Sequence, residues 1–144
     1  MSTPEGKATQ VVRLRAATWG SKVFRNNSGV LPNPHGGRPI RFGLGNESKK
    51  LNEVLKSPDL VGIHPVEITP DMVGKTIGVF YSIEVKPEGF VHKDKYPEGS
   101  RLEAQQRWHT MIIDNGGISG FASSAVDVDN LISEFNKRFR NDKK

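Results

Sequence analysis

The pattern of apolar and polar positions predicts a series of helices and short strands. Four stretches carry apolar side chains at intervals of three and four residues, which is the period of an amphipathic helix. Capping residues or glycines bound most of them. The predicted helices run from Thr3 to Gly20, from Ser48 to Leu55, from Arg101 to Asn115, and from Ser124 or Asp127 through Phe139.

Shorter apolar blocks between the helices predict strands, because β-branched and aromatic residues are concentrated in them. Thr76–Lys86 is the longest block. The others lie at 22–25, 40–43, 59–63 and 118–122. The block at 40–43 is either a short strand or the edge of a loop. Without it and the small helix at 48–55, the principal elements follow the order α-β-β-β-α-β-α. This order predicts an α/β fold, and the chain length predicts one domain spanning residues 1–144.

Composition narrows the classes of function. The 144 residues include 21 Lys and Arg against 16 Asp and Glu, giving a formal net charge of +5 and a pI near 9.6. This excess favours a polyanionic partner such as nucleic acid. The absence of cysteine excludes disulfides and thiolate zinc sites. No apolar run reaches the ~20 residues of a membrane span, and no signal-peptide stretch is visible, so we expect an intracellular protein without a membrane partner.

The most informative short motif is Glu84-Val85-Lys86, at the end of the longest predicted strand. Glu84 and Lys86 are two residues apart, so both side chains project to the same face of a strand. A carboxylate, the backbone carbonyl of Val85 and a cation then meet at one strand end. Oxygen ligands of this kind suit Mg²⁺ or Mn²⁺ and the water that such an ion activates.

Two Pro-Asp pairs could supply a second carboxylate, Asp59 or Asp71. Asp59 opens one predicted strand and Glu84 closes another. If these strands pair antiparallel, the two carboxylates meet at the same sheet edge. Asp71 precedes its strand and should lie at the opposite end, so we favour Asp59. The alternative is that Asp59 simply initiates a turn, as is common for Pro-Asp.

In this interpretation Asp59, Glu84 and the Val85 carbonyl hold the metal ion, and Lys86 orients water or offsets charge in the transition state. The alternative for Lys86 is an ordinary solvated lysine at a strand end. The four histidines show no metal-ligand spacing, and we interpret them as structural or solvent-exposed.

An ordered series of short motifs then resembles a known family. From Arg25 onward, the sequence is similar to the virus-type replication-repair nucleases (VRR-NUC), a branch of the PD-(D/E)xK superfamily often encoded by bacteriophages. The motifs are Arg25-Asn26-Asn27-Ser28-Gly29, Arg41-Phe42-Gly43, Ser57-Pro58-Asp59-Leu60-Val61-Gly62, Ile83-Glu84-Val85-Lys86, Gln105 with Trp108, and Gly116-Gly117.

The resemblance implies a restriction-endonuclease-like core, with a mixed central sheet flanked by helices. It also implies metal-dependent endonuclease activity on branched DNA such as four-way (Holliday) junctions, a role in DNA repair, and a stand-alone homodimer in the bacterial host. By the same match Gln105 joins Asp59, Glu84 and Lys86 as a catalytic residue. The family's carboxylate on the first helix corresponds to Glu5, or is replaced by the neutral Gln10.

A DNA substrate also needs cations and polar donors that hold phosphates. The candidates are Arg25, Asn26, Asn27, Arg38, Arg41, Lys93 and Lys95. Two other functions remain open. One is a non-catalytic basic nucleic-acid-binding domain with a degenerate nuclease fold, favoured by the lack of an obvious carboxylate ligand in the body of the first helix. The other is a small α/β interaction protein. Within the enzyme class, flap cutting and junction cutting are both open.

Overall fold

The computed structural model describes residues 3–140. Its contacts group into two units, Met1–His64 and Pro65–Lys144. The described part of the chain has four α-helices and six short strands, which makes the fold a mixed α/β fold as the sequence predicts. Within residues 3–140, none of the helices combines the length and the apolar character needed to cross a lipid bilayer.

The first unit begins with a helix whose start follows directly from its sequence. Thr3 is the N-cap and its hydroxyl accepts a hydrogen bond from the Gly6 amide at 3.1 Å, while Pro4 occupies the first turn. Two antiparallel strand pairs follow, β1 with β4 and β2 with β3. The elements are α1 (Pro4–Thr18), β1 (Lys22–Arg25), β2 (Gly29–Leu31), β3 (Ile40–Phe42), α2 (Lys49–Val54) and β4 (Leu60–Ile63).

Asn46 holds the β2–β3 pair together and is the most buried polar side chain of the first unit, at 3% exposure. Its amide donates to the Gly29 and Phe42 carbonyls, at 2.8 Å each. Its oxygen accepts from Arg41 Nη1 at 2.9 Å. Because the donors and the acceptor of this buried amide are all used, it joins β2, β3 and the Arg41 side chain without an unsatisfied polar group.

The second unit contains a short 3₁₀ turn and a β-α-β arrangement. β5 and β6 pair in parallel, and α3 makes the connection that parallel strands require. β6 is buried throughout, and with Ile112 of α3 it forms the apolar core of this unit. The elements are the 3₁₀ turn (Pro70–Met72), β5 (Tyr81–Val85), α3 (Arg101–Asp114), β6 (Ile118–Ala122) and α4 (Ala125–Lys137).

The sheets differ from the expected architecture. Instead of one mixed central sheet, the part of the chain from 3 to 140 contains three two-stranded sheets. The longest predicted strand, Thr76–Lys86, is shortened to Tyr81–Val85, and β2 forms between the predicted strands at 22–25 and 40–43, where the sequence pattern predicts none. The cause is that a strand needs a neighbour as well as an apolar sequence, and only the part of 76–86 beside β6 has one.

Candidate active site

A row of polar side chains on β5 faces α3. Side chains alternate along a strand, so Ser82, Glu84 and Lys86 project to one side. Trp108 of α3 donates its indole N–H to Ser82 Oγ at 3.0 Å, and the same hydroxyl lies 2.7 Å from Ser119 Oγ on β6. The row is therefore covered by a helix, and its polar groups need partners from that helix.

Gln105, one helical turn before Trp108, bridges the two charged members of the row. Its Nε2 donates to Glu84 Oε1 at 2.6 Å, and its Oε1 accepts from Lys86 Nζ at 2.8 Å. The ammonium also lies 3.5 Å from Glu84 Oε1. We call these three residues the Glu84 cluster. The amide gives each charge the group it requires, a donor for the carboxylate and an acceptor for the ammonium.

Lys86 is not a solvated lysine. Its side chain is only 14% exposed, against 36% for Glu84. Besides the two oxygen partners, its ammonium lies 5.2 Å from the centroid of the Phe121 ring and 5.7 Å from that of Phe90. Both distances fall in the range of cation–π attraction. Removing a lysine this far from water requires paired charge, and the cluster supplies it.

A second hydrogen-bond chain runs beside the cluster and ends in the core. It leads from Trp108 through Ser82 and Ser119 to His109, whose Nδ1 lies 2.7 Å from Ser119 Oγ. His109 is 7% exposed and packs edge-on against Phe121, with 4.6 Å between ring centroids. Its other ring nitrogen, Nε2, is buried without a hydrogen-bond partner.

The protonation of His109 is set by this environment. Burial lowers the pKa of the imidazole, because the charged form loses its water. The carboxylate of Glu84 acts in the opposite direction and raises that pKa, while the ammonium of Lys86 adds to the lowering. The net direction is downward, so His109 is a neutral imidazole at neutral pH.

The Pro-Asp motif of the first unit is held by Asn26. Its Nδ2 donates to Ser57 Oγ at 2.9 Å and to the Pro58 carbonyl at 2.8 Å. Its backbone N–H donates to the Asp59 carbonyl at 2.8 Å. These bonds fix the turn that leads into β4, while the Asp59 residue itself is exposed. Asn26, expected to hold phosphate, therefore has an internal role as a clamp.

The structure brings together Glu84, Lys86 and Gln105 but does not form the strand pair expected to bring Asp59 to them. Asp59 belongs to the first unit and Glu84 to the second. β4 pairs with β1 and β5 with β6, so the antiparallel β4–β5 pairing is not among the ladders of the described chain. Nor do three or more Asp, Glu or His side chains within 3–140 form a group that could hold a metal ion.

The Val85 carbonyl can be placed from the strand register. Along β5, the Phe80 carbonyl accepts from the Ile118 amide and the Lys86 amide donates to the Ala122 carbonyl, both at 2.9 Å. In a parallel pair, residues whose backbone N–H and C=O groups bond to the neighbouring strand alternate with residues whose backbone groups point away from it. Val85 is thus one of the residues whose carbonyl is directed away from β6.

The oxygen atoms of Glu84 and of the Val85 carbonyl are of the type that binds a hard cation such as Mg²⁺. Mg²⁺ is typically bound by one or two carboxylates, with water and substrate phosphates completing its shell. In the Glu84 cluster both hydrogen bonds to Glu84 use Oε1, and among the described residues none uses Oε2. Asp59 and, on α1, Glu5 and Gln10 are exposed.

The proposed phosphate-binding residues fall into two groups. Arg41 donates to Asn46 within the β2–β3 pair, and Asn26 serves the turn before β4. The others are exposed: Arg25, Asn27, Arg38, Lys93 and Lys95. Exposure leaves this second group accessible to a polyanion, whereas the amide of Asn26 is already engaged.

Sequence reasoning missed the aromatic support of Lys86 and the chain from Ser82 to His109. Phe121 lies more than thirty residues after Lys86 in the sequence, so no short-range spacing pattern could have linked the two residues. His109 had one available signal, because it lies four residues after Gln105 and such residues share a helix face.

Comparison with known proteins does not assign this chain to a family. The chain matches no protein-family model, no curated protein and no solved structure. The resemblance to VRR-NUC proteins therefore stays a prediction, and any function has to rest on the chemistry of the Glu84 cluster and of its surroundings.

Proposed function

We propose that the protein is a Mg²⁺- or Mn²⁺-dependent, structure-selective DNA endonuclease that hydrolyses a phosphodiester bond in branched DNA. The observation that carries this proposal is the Glu84 cluster. It combines a carboxylate that is 36% exposed with a largely buried lysine, two residues later, that has several partners. An ordinary surface ion pair would have needed neither the bridging amide nor the aromatic rings.

The residues would divide the chemistry as follows. Glu84 and the Val85 carbonyl would hold the divalent ion, which when bound lowers the pKa of a water and polarises the scissile phosphate. Asp59 is proposed as a second ligand on the sequence prediction alone. Lys86 stabilises negative charge that develops on the phosphate. Gln105 is a positioning residue for both charges, since it bonds the carboxylate and the ammonium at once. Glu5 is a further candidate ligand.

The finer features of the prediction belong to the same proposal. They are a restriction-endonuclease-like arrangement of the elements, a homodimer whose two sites suit a symmetric four-way junction, and an intracellular location. The exposed cations Arg25 and Arg38 in the first unit and Lys93 and Lys95 in the second would contact phosphates.

A second candidate is a basic nucleic-acid-binding domain without catalysis. It is favoured by one observation, namely that no group of three acidic or histidine side chains within residues 3–140 is placed to hold a metal ion. In that case the Glu84 cluster would be a structural charge network that fixes α3 on β5.

The test is cleavage of labelled duplex, flap, splayed-arm and four-way DNA with Mg²⁺, Mn²⁺ or EDTA. We expect metal-dependent products from branched substrates. Glu84→Gln and Lys86→Met should each reduce cleavage by more than about a hundredfold, because each removes a charge of the Glu84 cluster. We expect the same loss from Asp59→Asn, which removes the second metal ligand that the sequence predicts.

The matched controls are Glu88→Gln and Lys75→Met, which make the same changes at exposed positions and should cleave like wild type. Shifted gel bands without products, in every metal, would establish the binding domain instead. Equal activity of Glu84→Gln and Glu88→Gln would remove the Glu84 cluster from catalysis.

A further inference from the structure

The β2–β3 pair of the first unit carries large apolar side chains that are exposed to solvent. In this antiparallel pair Leu31 lies opposite Ile40. Phe42 lies opposite Gly29 in the same register. Residues directly opposite share a face of a sheet, and so do residues two apart on one strand. Leu31, Ile40 and Phe42 therefore share one face, on which they remain 55%, 47% and 41% exposed. We call these three side chains the hairpin face.

The backbone beneath the hairpin face is held by close packing and by a hydrogen-bonded turn. Gly29 leaves room for the ring opposite it, because a Cβ at this position would lie 2.7 Å from Phe42 Cζ. In the loop between the strands, Asn33 Oδ1 accepts from the His35 amide at 3.0 Å. The Asn33 carbonyl accepts from the Gly36 amide, also at 3.0 Å. The three apolar side chains thus stand on a structured hairpin.

A surface of this kind indicates a partner. Within residues 3–140, β2 and β3 pair only with each other. A two-stranded hairpin is at best marginally stable in water on its own, and open strand edges beside apolar side chains favour association. Neighbouring apolar side chains that remain in solvent commonly mark a binding surface.

The charge of the surrounding sequence selects the kind of partner. Residues 6–46 contain seven Lys and Arg and no Asp or Glu. One of these cations, Arg38, is exposed two residues before Ile40. A second copy of the chain would bring like charges together at this face, which is unfavourable. The partner should therefore be a polyanion that also offers apolar surface.

Nucleic acid with exposed bases and an anionic lipid surface both combine these two properties. Lipid would take the hairpin into hydrocarbon, where the backbone groups along its two open edges have no water to bond. On a nucleic acid, apolar side chains contact the flat faces of the bases while the strand edges stay hydrated. The open edges therefore favour nucleic acid.

We propose that the hairpin face binds the exposed base faces of single-stranded DNA, such as an unpaired strand at a branch, while Arg38 contacts an adjoining phosphate. Phe, Leu and Ile are among the side chains that proteins insert against base steps. The inference rests on the proposed function for the choice of DNA as the polyanion. It gives the first unit a role of its own, whereas the Glu84 cluster belongs to the second.

The test is binding of the whole protein, in EDTA, to labelled oligothymidine and to an abasic strand of the same length. The two probes carry the same phosphates and differ only in the bases. We expect oligothymidine to bind about tenfold more tightly, which is within the range for stacking of one base on a side chain. Equal affinities for the two probes would overturn the proposal.

Two threonine variants form a matched pair. Ile40 and Val30 are both 47% exposed, and threonine keeps a β-branched side chain at each, but the register places Val30 on the opposite face. Ile40→Thr should reduce the preference for oligothymidine to about threefold or less, and Leu31→Thr on the other strand should act in the same way. Val30→Thr should keep the wild-type preference.

Affinity for the abasic strand should be unchanged in all three variants, because the phosphate contacts are kept. This affinity reports that the first unit is still folded. An unchanged preference in both Ile40→Thr and Leu31→Thr would overturn the proposal, and so would an equal loss in Val30→Thr.

Other occupants of the hairpin face give different results. Binding to phosphatidylglycerol vesicles that Ile40→Thr abolishes, without a base preference in wild type, would overturn the proposal in favour of lipid. A dimer in sedimentation that Ile40→Thr dissociates would overturn it in favour of a second copy of the chain.

The binding and cleavage assays fail independently. Binding is measured without metal, so a base preference can be present in a protein that cuts no DNA. Conversely, metal-dependent cleavage by a protein that binds both probes equally would leave the endonuclease in place and remove only the role of the hairpin face.

Discussion

At Gln105, one neutral side chain has a charged partner at each end. Replacing it with Leu keeps the helix and the volume but removes a donor from a carboxylate and an acceptor from a buried ammonium. We expect Gln105→Leu to lower the free energy of unfolding of the second unit by about 2–3 kcal/mol, since hydrogen bonds to charged groups contribute about 1.5–3 kcal/mol. Urea unfolding followed by Trp108 fluorescence in a Trp19→Phe background measures it.

The adjacent Gln106 provides the matched control for that measurement. It is also on α3, but within residues 3–140 its amide makes a single bond, at 3.2 Å, to the Asp94 carbonyl near the surface. Gln106→Leu should therefore change stability by less than about 0.5 kcal/mol, as is usual for surface substitutions. Equal losses for the two variants would mean that the Glu84 cluster adds nothing to folding.

His109 makes stability depend on pH. Above its ordinary pKa of about 6.5 the imidazole is neutral in both the folded and the unfolded chain. Burial lowers the folded-state pKa, so as pH falls below about 6.5 the unfolded chain takes up the proton first. Stability is then lost until the pH passes the folded-state pKa. Between pH about 7 and about 5 the urea midpoint of wild type should fall more than that of His109→Asn; parallel curves would contradict this.

At the scale of elements, the β2–β3 pair depends on Asn46. Asn46→Asp keeps the shape but has no N–H to offer the Gly29 and Phe42 carbonyls. We expect faster amide hydrogen exchange across β2 and β3 and a loss of about 1–3 kcal/mol. Asn33→Asp is the control, because the Asn33 side chain accepts a bond from the His35 amide through Oδ1, and a carboxylate can do the same. Unchanged exchange in Asn46→Asp would show that the pair forms without this amide.

Elements that follow from local signals were predictable from sequence, and pairings were not. The caps Thr3, Ser48, Ser100 and Ser124 all accept a hydrogen bond from the first turn of their helices. Of these, Ser124 is the cap of α4, where Asp127 was the alternative. Strand neighbours depend on distant residues, so neither the three separate sheets nor the partner of β4 could be predicted.

The same distinction holds for the candidate site. Glu84 and Lys86 could be placed on one face because a strand has a period of two residues. Gln105 came from a family resemblance and not from spacing, and the structure places it between them. The rings beneath Lys86 come from β6 and from the loop after β5, and only the folded unit reveals them.

At the scale of the whole molecule, positive charge is segregated. Residues 1–64 contain ten Lys and Arg against four Asp and Glu, whereas residues 65–144 contain eleven against twelve. The excess that favours a polyanion therefore belongs to the first unit, and the Glu84 cluster belongs to the second. Long-range attraction of DNA should arise mainly from the first unit.

Salt dependence tests this division. The logarithm of DNA affinity should fall linearly with the logarithm of salt concentration, with a slope of about −0.9 per phosphate contact for duplex. Arg25→Gln and Arg38→Gln should each reduce that slope by about 1, if each contacts a phosphate. Arg101→Gln, at the exposed start of α3, is the control and should leave it unchanged. Equal changes of slope in Arg25→Gln, Arg38→Gln and Arg101→Gln would contradict the prediction that the first unit provides most of the phosphate contacts.

The rings of Phe90 and Phe121 also explain why the lysine of the Glu-x-Lys pair lies at position 86 and the glutamate at position 84. The face of an aromatic ring carries partial negative charge, so it attracts an ammonium group and repels a carboxylate. Reversing the two residues would place an anion against Phe90 and Phe121. The two aromatic rings therefore fix the orientation of the charge pair at this strand end. The negative charge lies at the more exposed position, Glu84, where an approaching cation would meet it.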